Sequence, residues 1–180
     1  MIKFNIATIN RCTEVEGPFK RLTIWFQGCN IGCRGCCNID YQPLIPKYII
    51  SLDELMEIIS QAKEDFGIEG VTYTGGEPTL QQNLPLLTQK INGLGLGVIS
   101  FTGHQYEDVA KTLQGCDMVL DGPFEHDNPE RERKLLGSAN QRIVLLTERY
   151  KDAIGWFDSS GIKMIEVNVG NMILANGDPF

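Results

Sequence analysis

Short apolar runs alternate with amphipathic stretches along this chain, and the alternation sets its elements. Leu22 to Gln27 (LTIWFQ) is β-branched and aromatic and reads as a buried strand. It runs straight into a loop, Gly28 to Asn38, and Pro43 and Pro46 then mark an irregular connection. Ser51 followed by Glu54 is a capping-box signature with Ser51 as N-cap. The helix it opens carries Leu52, Leu55, Met56, Ile58 and Ile59 on one face and is expected to end near Phe66–Gly67. Gly70 to Thr74 (GVTYT) predicts a second strand, followed at once by Gly75-Gly76-Glu77-Pro78. Leu84 to Leu94 predicts a second helix, with Pro85 tolerated in its first turn. Gly97 to Thr102 reads as a third strand, Gln105 to Leu113 as a third helix, and Asp117 to Leu120 and Arg142 to Leu146 as two further strands.

Strands alternating with helices imply parallel βα units joined by right-handed crossovers, an α/β fold. In such sheets chemistry collects at the carboxyl ends of the strands. The Gly28–Asn38 loop and the Gly-Gly-Glu-Pro turn both follow strands directly, so both are expected at one sheet edge. Ser100 and Thr102 end the third strand at that edge, and Asp121 ends the fourth. Two stretches depart from the alternation. Asp121 to Asn140 is polar and turn-rich, a long loop of the kind that is often functional. Met164 to Leu174 reads as a hairpin turning near Gly170-Asn171.

Composition adds boundaries. The 180 residues suit one domain, and 42% hydrophobic with 22% charged residues is ordinary for a globular protein. The net charge of −7 comes with no basic arm or stripe, so no nucleic-acid partner is expected. No apolar run is long enough to span a bilayer, and the N-terminus lacks the apolar centre of a secretory leader. A cytoplasmic protein with no membrane association is therefore expected.

The cysteines change the picture most. Cys29, Cys33, Cys36 and Cys37 lie in one short loop, while Cys12 and Cys116 are isolated. A chain this long, with no secretory leader expected, does not read as a disulfide scaffold, so the cluster points to metal or redox chemistry. The spacing Cys29-x3-Cys33-x2-Cys36 lets three thiolates hold three irons of a four-iron four-sulfur cluster, leaving the fourth iron open to a small ligand. A zinc site stays open as an alternative if Cys12, Cys116, His104 or His126 supplies a fourth ligand. So does an electron-transfer ferredoxin, although no fourth cysteine follows at regular spacing. Cys37 reads as a packed thiol or a further ligand, and Cys12 and Cys116 as small buried residues. Glu77 between two glycines and a proline reads as a ligand contact or a turn carboxylate. Lys20, Arg21 and Arg34 offer positive charge near the loop for an acidic electron donor. His126 reads as a solvated histidine in the polar stretch.

GCNIGCRGCCN after a strand, with TGGEPT after the next, resembles the radical S-adenosylmethionine superfamily. EGPFKRLTIWFQGCNIGCRGCCN, FTGHQYEDV, MVLDGPF and GSANQRIV extend the resemblance to glycyl-radical-enzyme activases, and in particular to the activating proteins of anaerobic ribonucleotide reductase. The similarity runs roughly from residue 10 to 146.

The resemblance implies an incomplete, open (β/α) barrel over residues 1–146, with 147–180 a C-terminal extension packed on the same domain. It implies that Cys29, Cys33 and Cys36 ligate a 4Fe-4S cluster. Gly35, Cys36 and Cys37 would flank the adenine of S-adenosylmethionine. Gly75, Gly76 and Glu77 would receive its amino group. Ser100 and Thr102, read from their place at the strand end rather than from the resemblance, are either partners of its carboxylate or ribose or ordinary strand hydroxyls. It implies cleavage of S-adenosylmethionine to a 5′-deoxyadenosyl radical and activation of a glycyl-radical partner, the large subunit of anaerobic ribonucleotide reductase. A flavodoxin- or ferredoxin-type protein would supply the electron. Cys37 stands where the family usually has an aromatic residue or histidine, and the chain continues past the Asn-Gln-Arg motif. These departures leave room for a maturase acting on a peptide, another protein or a small molecule. An iron–sulfur interaction module without catalysis is the non-enzyme alternative.

Overall fold

The computed structural model describes residues 1–158, 164–169 and 173–177. Its main sheet contains β1 (Lys3–Thr13), β2 (Arg21–Phe26), β3 (Tyr48–Ser51), β4 (Gly70–Gly75), β5 (Gly97–Phe101), β6 (Met118–Asp121) and β7 (Arg142–Leu145), in the spatial order β3-β1-β2-β4-β5-β6-β7. The centre, β2-β4-β5-β6, is parallel, with Phe26 opposite Gly75, Tyr73 opposite Ser100 and Phe101 opposite Leu120. β1 and β3 add antiparallel on one side and β7 antiparallel on the other. The sheet is open rather than closed. Antiparallel entry of β7 departs from the expected fifth parallel unit. The segment between β6 and β7 supplies no crossover helix, so the chain turns back beside β6 instead of crossing over it.

Parallel strands laid down in one direction with right-handed crossovers put every helix on the same face. The alternation of side chains agrees. Leu22, Ile24, Phe26, Val71, Tyr73, Val98 and Val119 point into the core beneath α1 (Leu52–Phe66) and α2 (Leu84–Gly93). Both halves of the Ser51–Glu54 capping box are made, and Gly67 ends α1 in the left-handed conformation at φ 64. Leu55 and Ile59 of α1 are fully buried, each worth about 1.5–3 kcal/mol of hydrophobic stabilisation. α3 is shorter than its sequence suggests. Only Tyr106–Val109 is helical, and turns carry the chain on to Leu113.

The other face of the sheet presents Thr72, Thr74, Ile99, Phe101, Met118 and Leu120. A second apolar cluster forms there from Ile99, Met118, Leu120, Leu136, Tyr150 and Phe157, the last contributed by a 3-10 helix over Lys151–Phe157. β8 (Ile165–Val169) and β9 (Ile173–Gly177) pair antiparallel as a separate ribbon. The turn expected near Gly170-Asn171 lies outside the described residues.

One charged residue sits deep in this frame. Arg21 opens β2 with no exposed surface, so it cannot serve the docking role its charge suggested. Its guanidinium donates to Thr72 Oγ1 (2.7 Å), Val71 O (2.9 Å), Tyr150 OH (2.9 Å), Pro18 O (3.2 Å) and Glu69 Oε2 (3.3 Å). A buried charge persists only when so fully partnered. Its location at the start of β2 also puts it, with neighbouring Lys20, at the sheet edge opposite the cysteine loop.

Candidate active site

Both expected chemistry-bearing turns meet at the carboxyl edge of the parallel strands. Cys29, Cys33, Cys36 and Cys37 from the loop after β2, Gly75–Glu77 after β4 and Thr102 after β5 line one cavity of about 180 Å³. Thr74, Phe101 and Leu120 form its floor. The loop is held by backbone bonds at its root. Gly28 N donates to Tyr41 O (2.8 Å) and Cys29 N to Gln42 O (2.9 Å). Gly76 N donates to Phe26 O and Glu77 N to Gly28 O, both at 2.8 Å, tying the two turns together.

Gly76 is required by that tie. A Cβ there would lie 2.2 Å from Gly28 O and 2.8 Å from Tyr41 O. The space beside Gly76 is thus filled by the cysteine loop's own backbone, and only glycine permits so close an approach. Glu77 is 1% exposed, and its carboxylate is fully engaged by protein. Oε1 accepts from Thr79 N (3.0 Å), Thr79 Oγ1 (2.7 Å) and Thr102 Oγ1 (2.9 Å), and Oε2 accepts from Gly103 N (3.0 Å). Glu77 therefore clamps the β4 turn to the end of β5.

The three spaced cysteines carry free thiols facing this cavity. Burial raises the Cys33 thiol, the Phe124 backbone N–H donating to it pulls the other way, and Cys36 and Cys29 add to the rise. Ile31 N donates to Cys29 Sγ at 3.4 Å. Cys12 and Cys116 pack with the helix-side core, on the other face of the sheet, so neither can complete a zinc site with the loop. Among the described residues no three His, Cys, Asp or Glu side chains close around a point as ligands of a single ion do. Three thiols ringing an open cavity fit a polynuclear cluster with one unligated iron.

Cys37 is exposed as a residue, yet protein crowds its thiol. Desolvation raises its pKa, and Cys36 and then Glu16 add to the rise. It lines the cysteine cavity and also an adjoining one. Ser100 is buried without lining the cavity, and its Oγ donates to Phe101 O (3.2 Å). Gly35 lies under a histidine. A Cβ on it would meet His126 Nδ1 at 2.5 Å; His126 is exposed, as expected for a solvated histidine, and lies against the loop.

The polar stretch after β6 supplies the far wall, which the sequence pattern did not reveal. Phe124, Leu135, Leu136, Gly137 and Gln141 line the cavity opposite the cysteines. Leu135 adopts a left-handed conformation at φ 65, a strained state for a leucine. Gln141 braces the wall. Its Oε1 accepts from Gly137 N (2.8 Å) and Ser138 N (3.2 Å), while Nε2 donates to Gly122 O (3.0 Å). Arg142 pairs with Asp121 and Glu107, which raise its pKa, and so secures β7 beside β6. The apolar residues Phe124, Leu135 and Leu136 inside a polar segment were the available signal for a wall.

The second cavity continues along the same sheet face past Cys37, with Glu16 and Trp25 in its lining. Glu16 is 7% exposed, and burial pushes its carboxyl up to about 7. The Gly177 N–H donating to it at 2.9 Å opposes that rise, and Glu166 adds to it.

Residues 15–144 match the family model described as a 4Fe-4S single cluster domain. The chain is 27% identical over 146 residues to the anaerobic ribonucleoside-triphosphate reductase-activating protein of Enterobacteria phage T4, covering 77% of this chain and 92% of that protein. It is 32% identical over 148 residues to the protein of the same name from Pasteurella multocida, covering 74% and 92%. It is 27% identical over 166 residues to the pyruvate formate-lyase-activating enzyme of Staphylococcus epidermidis, covering 84% of this chain and 65% of that longer protein. Among solved structures, QueE from Escherichia coli aligns with a TM-score of 0.49 at 21% identity, over 57% of this chain and 54% of that one.

Proposed function

Because the chain belongs to the 4Fe-4S single cluster domain family, and with it to the radical S-adenosylmethionine activases, we propose that it installs a glycyl radical on anaerobic ribonucleotide reductase. The observation that carries this reading is the convergence of Cys29, Cys33, Cys36, the Gly75–Glu77 turn and Thr102 on one cavity at the carboxyl edge of the sheet. When bound there, a reduced cluster supplies the electron that cleaves S-adenosylmethionine to methionine and a 5′-deoxyadenosyl radical.

The chain's own residues do the positioning. Cys29, Cys33 and Cys36 would hold the cluster, which would supply a binding point for the cofactor's amino and carboxylate groups. The Gly75–Glu77 backbone takes the amino end, held in place because Glu77 is clamped by Thr79, Thr102 and Gly103. Gly35, Cys36 and Cys37 flank the adenine. Phe101, Leu120, Phe124 and Leu136 keep the cavity apolar and exclude water. Arg34, exposed on the cysteine loop and 3.8 Å from Asp127, offers a positive charge to an acidic flavodoxin- or ferredoxin-type donor. In this reading residues 1–146 form an open barrel of the radical S-adenosylmethionine type, with the C-terminal extension part of the same domain.

The test is electron paramagnetic resonance of the reduced protein with S-adenosylmethionine and the anaerobic reductase of the same organism. A glycyl radical on the reductase is expected. No radical, with deoxyadenosine still formed, overturns the choice of partner. No deoxyadenosine overturns the catalytic reading.

A further inference from the structure

The β8–β9 ribbon is seated on the body by polar contacts. Asn10 Nδ2 donates to Glu166 Oε1 and to Asn176 Oδ1, both at 3.3 Å. Thr13 Oγ1 donates to Glu166 Oε2 (2.9 Å) and accepts from Asn176 Nδ2 (2.9 Å). Ile165 and Val167 are 62% and 56% exposed, so these apolar side chains add little to the seat. A two-stranded ribbon is marginal by itself, and elements held mainly by polar contacts open at low cost.

What the ribbon covers is specific. Ala175, Asn176 and Gly177 line the second cavity together with Glu16, Cys37, Thr74 and Phe101. Cys37, Thr74 and Phe101 also line the cysteine cavity, so the two spaces form one path along the sheet face. At the inner end of β9, Gly177 N donates to the buried Glu16 carboxylate (2.9 Å). The residue there must be glycine. Its φ is +114, and a Cβ would lie 2.2 Å from Met164 O. An extended strand therefore presents a bare glycine backbone to the cavity beside the cysteine loop.

Resting on the activase reading above, we propose that β9 is an intramolecular occupant of the path that the partner's glycine-bearing strand takes to the cysteine loop, and that partner docking displaces it. The Glu16 carboxylate, satisfied by Gly177 N–H in the closed state, is released to a backbone donor of the incoming strand. The seated ribbon lowers the partner's apparent affinity by the fraction of molecules that are open.

The experiment uses the full-length, cluster-loaded protein as wild type, Asn176→Asp and Glu166→Ala. Asn176→Asp removes the donor to Thr13 and sets a second carboxylate beside Glu166. Glu166→Ala removes the acceptor of Asn10 and Thr13. Affinity for the anaerobic reductase and amide hydrogen exchange over residues 173–177 are measured with and without S-adenosylmethionine. Both variants are expected to bind the reductase about tenfold more tightly, the effect of removing one or two ordinary hydrogen bonds from the closed state. Exchange over 173–177 in the wild type is expected to rise when the reductase binds, and this arm stands even if a variant fails to fold. Unchanged affinity and unchanged wild-type protection, with a glycyl radical still formed, overturn the gate and leave the activase reading intact. Absence of both binding and radical in all three proteins overturns the two together.

Discussion

Removing the Glu77 carboxylate tests whether it is a brace or a ligand. Four donors converge on it: two backbone N–H groups, from Thr79 and Gly103, and two threonine hydroxyls. In Glu77→Gln the oxygen can keep the Thr79 and Thr102 donors, but the new amide then faces the Gly103 N–H. One charge-assisted bond is lost and a buried donor is stranded, about 2 kcal/mol. In Glu77→Ala both hydroxyls can turn elsewhere, while both backbone N–H groups lose their acceptor, about 3–5 kcal/mol. For a chain of this size about 1 kcal/mol moves the unfolding midpoint by roughly 2–4 °C, so the drops are about 4–8 °C and about 6–20 °C. Anaerobic thermal unfolding followed by circular dichroism reads them, with S-adenosylmethionine binding measured in parallel. The reasoning is refuted if Glu77→Ala melts with the wild type while cofactor binding disappears, since the carboxylate would then serve the ligand.

Three further outcomes are expected. Alanine at Cys29, Cys33 or Cys36 abolishes the visible iron–sulfur absorbance and deoxyadenosine formation, whereas Cys37→Ala keeps the cluster; loss of the cluster in Cys37→Ala would make that thiol a ligand. Burial pushes the Glu16 carboxyl up to about 7 from its ordinary 4.5, so the folded state binds more protons than the unfolded state between those pH values. Stability contributed by this group is greatest below pH 4.5 and falls as pH rises toward 7, on the order of 3 kcal/mol, and Glu16→Gln flattens the slope in urea titrations across this range. Arg21→Met strands the Tyr150, Thr72 and Glu69 partners at the centre of the fold and costs about 3–5 kcal/mol by denaturant unfolding, an effect that a surface-exposed arginine would not show.

The parallel centre of the sheet was legible because each of its strands is a compact apolar run closed by a turn. The Ser51–Glu54 cap was legible because it is a local motif, complete within four residues. β1 was less so. Its buried Phe4 and Ile6 alternate with polar residues, a weak signal in an N-terminal stretch also rich in asparagine. β7 could be located, but its direction depends on the absence of a helix between β6 and β7, which periodicity alone did not establish. Among site residues, the cysteines and the Gly-Gly-Glu-Pro turn announced themselves by spacing. Arg21 and Glu16 did not, because charged side chains are read as solvated until their partners are known. Those partners lie far along the chain: Tyr150 is 129 residues from Arg21, and Gly177 is 161 from Glu16.

The one-directional order of the central strands has a consequence for the growing polypeptide. β2, β4, β5 and β6 emerge from the ribosome in the order in which they lie side by side, so each new strand docks on an edge that is already formed. The face carrying the cysteine loop receives its wall from Phe124 to Gln141 and its Tyr150–Phe157 cover only afterwards. The cysteine loop is thus complete in the chain before any of the residues that wall and cover it.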